Sequence, residues 1–177
     1  MEQYMGFKLI EAEPAYWCNG VVYPMSEGQP NSSVLDGRSD VEAGYRVRYP
    51  DGYTSWSPKD VFEKAYMKVV PNPNLKTTRP SISQAMVDDF IMSKDVITIG
   101  NKTTVVHVVC RNGFEFVESS SCVSAENYNE TLGAEICMTK IKDKIWSYLG
   151  FLLQTAVFGI NGTDFCGLTD FDPVSEV

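Results

Sequence analysis

The sequence predicts an α+β protein, in which an N-terminal β-hairpin and helix module precedes a domain of helix, β-hairpin and long helix. Two observations predict the hairpins: strand-like residues flank both Tyr49-Pro50-Asp51-Gly52 and Asn112-Gly113, which are turn signals. A third predicts the long helix, because apolar residues recur at helical spacing from about Glu130 to Phe158. Strands and helices in these positions indicate an α+β fold.

Length and composition limit the domain organisation. The chain has 177 residues, of which 44% are hydrophobic, enough for one full core or two small ones. A proline-rich stretch separates two parts of the chain. We therefore expect an N-terminal module at 1–70, a linker at 71–80, an α+β domain at 81–158 and a turn-rich tail at 159–177.

The charge and the cysteines argue against several classes of function. A net charge of −8 disfavours nucleic-acid binding, which needs clustered Lys and Arg. The five cysteines form no CxxC pair and His107 is the only histidine, so we expect free thiols, no metal and no cofactor. Asp164, Asp170 and Asp172 lack the spacing of an EF-hand loop and are read as solvated turn residues. The apolar stretch Ile145–Ile160 is too short to span a membrane, so we expect no membrane partner.

The first module is predicted from its turns. Phe7–Pro14 reads as a strand and Val21–Pro24 as a short edge strand, with mostly loop from 19 to 42. Tyr49–Gly52 fits a type I turn, which closes a three-residue hairpin loop. Ser57 then predicts the N-cap of a helix, with Pro58 as its first residue.

Three residues of this hairpin are candidates for binding a ligand. On the three-residue loop Arg46 faces Trp56, and Arg48 lies on the same face. Arginine supplies planar donors for phosphate and an indole stacks on a base, so Arg46, Arg48 and Trp56 are the predicted ligand-binding residues. Arginine on tryptophan across two strands is also an ordinary stabilising contact, and the sequence leaves both interpretations open.

In the second domain, Ser81 or Ser83 caps the first helix. Its predicted buried side consists of Ile82, Ala85, Met86, Phe90 and Ile91. A hairpin follows, in which Asn112-Gly113 predicts a two-residue turn and thereby places His107 opposite Glu118.

Ser124 and Asn129 are both candidate caps for the long helix, Glu130–Phe158. The apolar stripe of this helix is Leu132, Ile136, Ile141, Ile145, Leu149, Leu152 and Leu153. A single copy would leave part of the stripe exposed, so we expect that the protein can form a homo-oligomer.

His107 and Glu118 form the only candidate acid–base pair, and they are weak candidates for catalytic residues. Cross-strand neighbours lie close enough to touch, but no serine or cysteine here sits in a recognisable nucleophile motif. The alternative is a cross-strand pair that stabilises the hairpin.

Several short stretches carry a resemblance. They are RPS at Arg79, NGF at Asn112, SCVSAENY at Ser121, IKDKIW at Ile141 and GFLL at Gly150. In order and spacing they resemble a tailed-phage accessory protein family named for coliphage N-four and a Shigella phage, over residues 79–158. Ala125 stands where the family pattern has proline. The resemblance implies no established activity and no catalytic residue.

The N-terminal stretches GFKLIEAEP and YPDGYTSWSPKDVFEKAY are similar to a small phage module. That module is attached to several accessory domains, among them anti-defence proteins that sequester nucleotide immune signals. The resemblance implies a function by association with neighbouring domains and assigns no site residue.

Together these observations predict a phage accessory protein that acts in the host cell cytoplasm against host defence, without catalysis. Its partner would be a phosphorylated, nucleotide-derived signal, which it sequesters, or a host defence protein. The alternatives are a small hydrolase or lyase of nucleotide signals that uses His107 and Glu118, and a host-takeover adaptor whose only partner is a protein.

Overall fold

The computed structural model describes residues 1, 3, 5–25, 41–77 and 79–161. Two compact units divide the chain, one containing Met1–Lys68 and the other Val69–Phe158. Each unit combines an antiparallel sheet with helices, which confirms the predicted α+β class. None of the described helices combines the length and apolar character needed to cross a membrane.

In the described residues of the first unit, a four-stranded antiparallel sheet in the order β2-β1-β3-β4 is followed by a short helix. Its elements are β1 (Glu11–Cys18), β2 (Val21–Pro24), β3 (Glu42–Arg48), β4 (Thr54–Pro58) and helix α1 (Lys59–Ala65). The edge strand Val21–Pro24 is confirmed.

The first strand begins four residues later than predicted and continues past Pro14. Pro14 lies opposite Tyr45 of β3, whereas β2 pairs with β1 only from Ala15 onwards. The strand therefore has one open side at Pro14, and such a side is where a strand tolerates a proline. Reading Pro14 as the end of the strand was wrong.

The β3–β4 hairpin has the predicted three-residue loop. Tyr49 N–H donates to the Tyr53 carbonyl and Gly52 N–H donates to the Tyr49 carbonyl, each at 2.9 Å. Gly52 has a φ of 85°, in the left-handed region that glycine adopts without strain. The predicted register, with Arg46 opposite Trp56, is confirmed.

Helix α1 begins two residues after Ser57, so Ser57 is not its N-cap. Ser57 is instead part of β4, where it pairs with Tyr45, and the strand runs on to Pro58. Pro58 takes the cap position with a φ of −53° and a ψ of 147°, without a side-chain cap. The helix packs on the sheet through Phe62, whose ring stacks on Tyr45 at 4.1 Å between centroids.

The second unit contains a three-stranded antiparallel sheet in the order β5-β6-β7 and a long helix. Its elements are α2 (Gln84–Asp89), β5 (Ile91–Ile99), β6 (Thr103–Cys110), β7 (Glu115–Ser121), a 3₁₀ turn (Ala125–Asn127) and α3 (Glu130–Phe158). Strand β5 was not predicted, because Phe90 and Ile91 fit the apolar spacing of the preceding helix. The run of three polar residues at 93–95 also hides the strand alternation.

The β6–β7 hairpin differs from the prediction by one residue. Cys110 N–H donates to the Phe114 carbonyl and Gly113 N–H donates to the Cys110 carbonyl, each at 2.8 Å. These bonds close a three-residue loop, so the predicted two-residue turn was wrong. His107 consequently lies opposite Val117.

Helix caps in the second unit follow the sequence signals. Ser83 caps α2, and its side chain accepts from Met86 N–H. Asn129 caps α3, since its Oδ1 accepts from Leu132 N–H at 3.0 Å, while Ser124 caps the 3₁₀ turn. On α2, Ala85 is exposed and Val87 is fully buried, contrary to the predicted buried side.

The core of the second unit lies between α3 and one face of the sheet. The helix buries Gly133, Cys137, Ile141, Ile145 and Leu149, and the sheet buries Thr104, Val106, Val108, Cys110 and Phe116. The buried helix positions recur every four residues, so the contact line winds around the helix, as expected over a twisted sheet. The predicted stripe was therefore right at its centre and wrong at Leu132 and Ile136, which are exposed.

Candidate functional site

Arg46 and Arg48 are each paired with a glutamate on the neighbouring strand β1. Arg46 Nε donates to Glu13 Oε1 at 2.7 Å, and Arg48 Nε donates to Glu11 Oε2 at 2.8 Å. The sheet register places these residues directly opposite each other, Glu13 against Arg46 and Glu11 against Arg48. Neither glutamate is among the predicted site residues, although both lie on the predicted first strand.

A cavity of about 430 Å³ opens beside these ion pairs. It is lined by Glu11, Ala12, Glu13, Arg46, Arg48 and Thr54. Two guanidinium groups and two carboxylates face it, so the charges of the lining side chains sum to about zero. An anion entering this cavity would have to compete with the two glutamates for the arginine donors.

Trp56 does not line the cavity. Its ring lies 6.0 Å from the ring of Trp17 and covers Gly44, where an added Cβ would stand 2.9 Å from Trp56 Cε2. Among the described residues, Trp56 Nε1 is a buried donor without a hydrogen-bond partner. The structure thus brings the two predicted arginines together and uses the indole to pack the sheet.

His107 and Glu118 are not neighbours. His107 is on the face of the sheet away from α3, where Nε2 lies 3.0 Å from Glu115 Oε2 and Nδ1 lies 3.7 Å from Asp95 Oδ2. Glu118 is on the opposite face and pairs with Lys144 of α3, whose hydrogen bond lowers the pKa of the Glu118 carboxyl. The predicted pairing fails because the three-residue loop shifts the strands by one residue, which moves a side chain to the other face.

The row Asp95, His107 and Glu115 joins all three strands of the sheet. Such cross-strand contacts stabilise antiparallel sheets. Within the ranges that the structure describes, no group of three or more His, Cys, Asp or Glu side chains is arranged to hold a metal ion. The predicted turn aspartates, Asp164, Asp170 and Asp172, lie outside the described residues.

An apolar groove that was not predicted from the sequence lies at the C-terminal half of α3. We call it the aromatic groove. It has a volume of about 210 Å³ and is lined by Phe90, Asn112, Phe114, Phe116, Ile145, Tyr148, Leu149, Phe151 and Leu152. Tyr148 lies 5.8 Å from Phe116 and 6.0 Å from Phe114, measured between ring centroids. Phe151 remains 71% exposed beside them.

Residues 82–157, which contain most of the second unit, match the family model described as Phage protein (N4 Gp49/phage Sf6 gene 66) family. The second unit is therefore similar to this phage family, and we call it the phage-family domain. The match confirms the resemblance stated from the motifs and leaves the N-terminal module unmatched. No curated protein and no solved structure matches the chain.

Two of the motifs that carried the resemblance meet at the aromatic groove of the phage-family domain. Asn112 and Phe114 come from NGF at the tip of the hairpin, and Phe151 and Leu152 come from GFLL on α3. In sequence these motifs are almost forty residues apart. A prediction of the groove would have needed the hairpin register, since only that places Phe114 and Phe116 beside the helix.

The cysteines of the phage-family domain are free thiols. Cys110 and Cys137 are fully buried, and burial raises the pKa of both thiols. A raised pKa leaves a thiol protonated and weakly nucleophilic, so these two cysteines are core residues.

Proposed function

We propose that this protein is a phage accessory protein that acts against host defence by binding a host protein, without catalysis, and that the aromatic groove of the phage-family domain is the binding site. The observation that carries the proposal is the set of aromatic rings left open to solvent in that groove. Phe114 and Tyr148 are both more than half exposed, and Phe151 more so. Large apolar side chains gathered in one exposed patch are typical of interaction sites.

The chemistry of the groove favours an apolar side chain as the bound group. Asn112 and the hydroxyl of Tyr148 are the polar side-chain groups of the lining, which includes no charged residue. A volume of about 210 Å³ is below the roughly 300–1,000 Å³ of most small-molecule pockets. It suits one or two anchoring side chains of a protein partner, which commonly supply most of the binding energy of an interface.

A second candidate function is sequestration of a nucleotide-derived signal at the cavity beside Arg46 and Arg48. The volume of about 430 Å³ supports it, because it falls within the range of ligand pockets. The two guanidinium groups are suitable donors for phosphate. Glu11 and Glu13 argue against sequestration at this cavity, because each already pairs with one of the two arginines.

A test on phage infection separates these functions. A phage carrying either the wild-type gene or a variant is plated on a panel of hosts, each with one defence system. We expect Phe151→Ser to lose the plating advantage on the defended host, while Arg46→Ala with Arg48→Ala retains it. The reverse result would support sequestration of a nucleotide instead.

Ile97→Ser is the matched control for the groove variant. Ile97 is an exposed apolar residue of the same domain, at 53% exposure, and lies on β5 outside the groove. The proposal requires Ile97→Ser to behave as wild type. Equal plating of wild type and Phe151→Ser on every defended host would contradict the groove as the site.

A second experiment addresses the ligand. The protein is incubated with cyclic and ADP-ribose-type nucleotides, then denatured, and the nucleotides are analysed. Protein binding predicts no loss of nucleotide from solution, sequestration predicts loss followed by intact recovery, and an enzyme predicts a product. The pairing of His107 with Glu118 on which the enzyme alternative was based is absent, because the two side chains lie on opposite faces of the sheet.

A further inference from the structure

The face of α3 that points away from the sheet carries a regular pattern, which we call the outer stripe. Its residues are spaced alternately by four and three: Leu132, Ile136, Thr139, Asp143, Trp146, Gly150, Leu153 and Val157. This spacing is typical of the residues that face the partner helix in a coiled coil, and these residues form its seam. The stripe extends over about 38 Å of helix at 1.5 Å per residue, and none of its residues is among those that α3 buries.

Most of the outer stripe is apolar and open to solvent. Leu132 and Val157 at its two ends are 54% and 43% exposed, and Trp146 near its middle is 37% exposed. Apolar side chains exposed along one face of a helix are typical of a surface that a second helix covers.

Gly150 supplies an independent observation. A Cβ added at Gly150 would meet no atom within 4 Å, so nothing in this copy of the chain requires a glycine there. Gly133, the other glycine of α3, is different, because a Cβ there would collide with Thr104. Glycine is a poor helix former, and in a helix seam it permits close approach of another helix.

We propose that the outer stripe is covered by α3 of a second copy of this chain, packed antiparallel about a two-fold axis between residues 144 and 145. In that register Leu132 lies opposite Val157 and Ile136 lies opposite Leu153. Thr139 faces Gly150, so a small side chain meets the position without a Cβ. The stripe is therefore self-complementary. Apolar residues at one end meet apolar residues at the other end, and the small Thr139 meets Gly150.

Charge selects the antiparallel orientation. A parallel pair would place Asp143 of one copy against Asp143 of the other, at the centre of the seam, where like charges repel. The antiparallel pair places Asp143 against Trp146, whose indole N–H can donate to the carboxylate. In the described part of the chain, the Asp143 carboxylate has no hydrogen-bond or ion-pair partner.

Light scattering of the full chain at low micromolar concentration tests the proposal. We expect the mass of a dimer for the wild type and of a monomer for Trp146→Glu and Gly150→Leu. Gly150→Leu should remain folded by circular dichroism, because its side chain enters open space in the single copy. Phe151→Glu is the control, since Phe151 is even more exposed but lies outside the stripe.

Cross-linking tests the orientation. Leu132→Cys and Val157→Cys proteins are mixed and oxidised, and mass spectrometry identifies the joined peptides. The proposal expects a bond between residue 132 of one copy and residue 157 of the other, whereas a bond between two copies of residue 132 would overturn the antiparallel register.

A monomeric wild type would overturn the whole proposal. So would a dimer that neither Trp146→Glu nor Gly150→Leu disrupts, because its interface would lie elsewhere.

Discussion

Gly133 of α3 lies against Thr104 of β6 so closely that a Cβ on the glycine would stand 2.8 Å from Thr104 Cβ, and nearer still to its Oγ1. Both residues are buried, and the contact sets how closely the helix can approach the sheet. The phage-family domain therefore depends on a missing side chain at this point, which a pattern of apolar residues does not reveal.

The first prediction is that Gly133→Ala lowers the free energy of unfolding by about 1–3 kcal/mol, the usual effect of overpacking a core. Alanine improves helix propensity by about 1 kcal/mol relative to glycine, but the collision with Thr104 outweighs this gain. Urea denaturation measures the difference. Gly150→Ala is the matched control. Both variants are made on the Trp146→Glu background, which lacks the proposed dimer, and there we expect Gly150→Ala to be neutral or stabilising because its Cβ meets open space in the single copy. Equal behaviour of the two variants would contradict the close contact at Thr104.

A second prediction concerns acid. Lys144 lowers the pKa of Glu118 from its ordinary 4.5, and Lys142 lowers the pKa of Asp88 from its ordinary 3.8, in each case mainly by a hydrogen bond. Because these pKa values are lower in the folded state, the unfolded chain takes up the protons first as pH falls. The stabilisation is complete above the ordinary pKa values and is lost as pH falls through the lowered ones.

We therefore expect the Tm of the wild type to fall with acidification below pH 4.5. Glu118→Gln combined with Asp88→Asn should show a shallower fall, since the variant has neither group to protonate. Calorimetry across this pH range measures both slopes. If the slopes were the same, neither ion pair would stabilise the packing of α3.

A third prediction uses the free thiols. Cys110 and Cys137 are buried, and burial raises the pKa of both, so a thiol reagent should label them only when the protein unfolds. Cys122 is partly exposed and should react in the folded state. Mass spectrometry of labelled peptides, with and without denaturant, identifies the sites. Rapid labelling of Cys137 in the native protein would show that α3 opens from the sheet.

The two hairpins explain how much of the fold the sequence predicts. Both have a three-residue loop with glycine last, Pro50-Asp51-Gly52 and Arg111-Asn112-Gly113. In each, the middle side chain accepts a hydrogen bond from the backbone N–H two residues later, at 3.0 Å for Asp51 and 3.1 Å for Asn112. Pro50 revealed the longer loop in the first hairpin. In the second, Asn-Gly is typical of the commoner two-residue turn, whereas the hydrogen bond that Asn112 Oδ1 accepts stabilises the longer loop.

A register that differs by one residue from the predicted one explains why the predicted pairing of His107 with Glu118 was wrong. In the observed register Glu118 lies on the α3 side of the sheet, and His107 lies between Asp95 and Glu115. The long helix α3 was predictable, with Asn129 as one of its two candidate caps, because periodicity and capping are local properties of the sequence. The cap predicted at Ser57 was wrong. The aromatic groove was not predictable, because its side chains come from three elements. Their contacts depend on the register of the β6–β7 hairpin and on the close packing of Gly133 against Thr104.

The last prediction tests whether the cavity beside Arg46 and Arg48 can hold an anion. Glu11→Gln combined with Glu13→Gln removes the two carboxylates that now pair with the guanidinium groups. Inorganic pyrophosphate is the probe, measured by titration calorimetry at low salt, where screening is weak. We expect the double variant to bind pyrophosphate at least about tenfold more tightly than the wild type, because the carboxylates no longer repel the anion or compete for the arginines. A tenfold gain corresponds to about 1.4 kcal/mol of binding free energy. Adding Arg46→Ala to the double variant should abolish the gain. If the double variant bound no pyrophosphate at all, the two arginines would serve only to join β1 to β3, and sequestration of a phosphorylated signal at this cavity would be excluded.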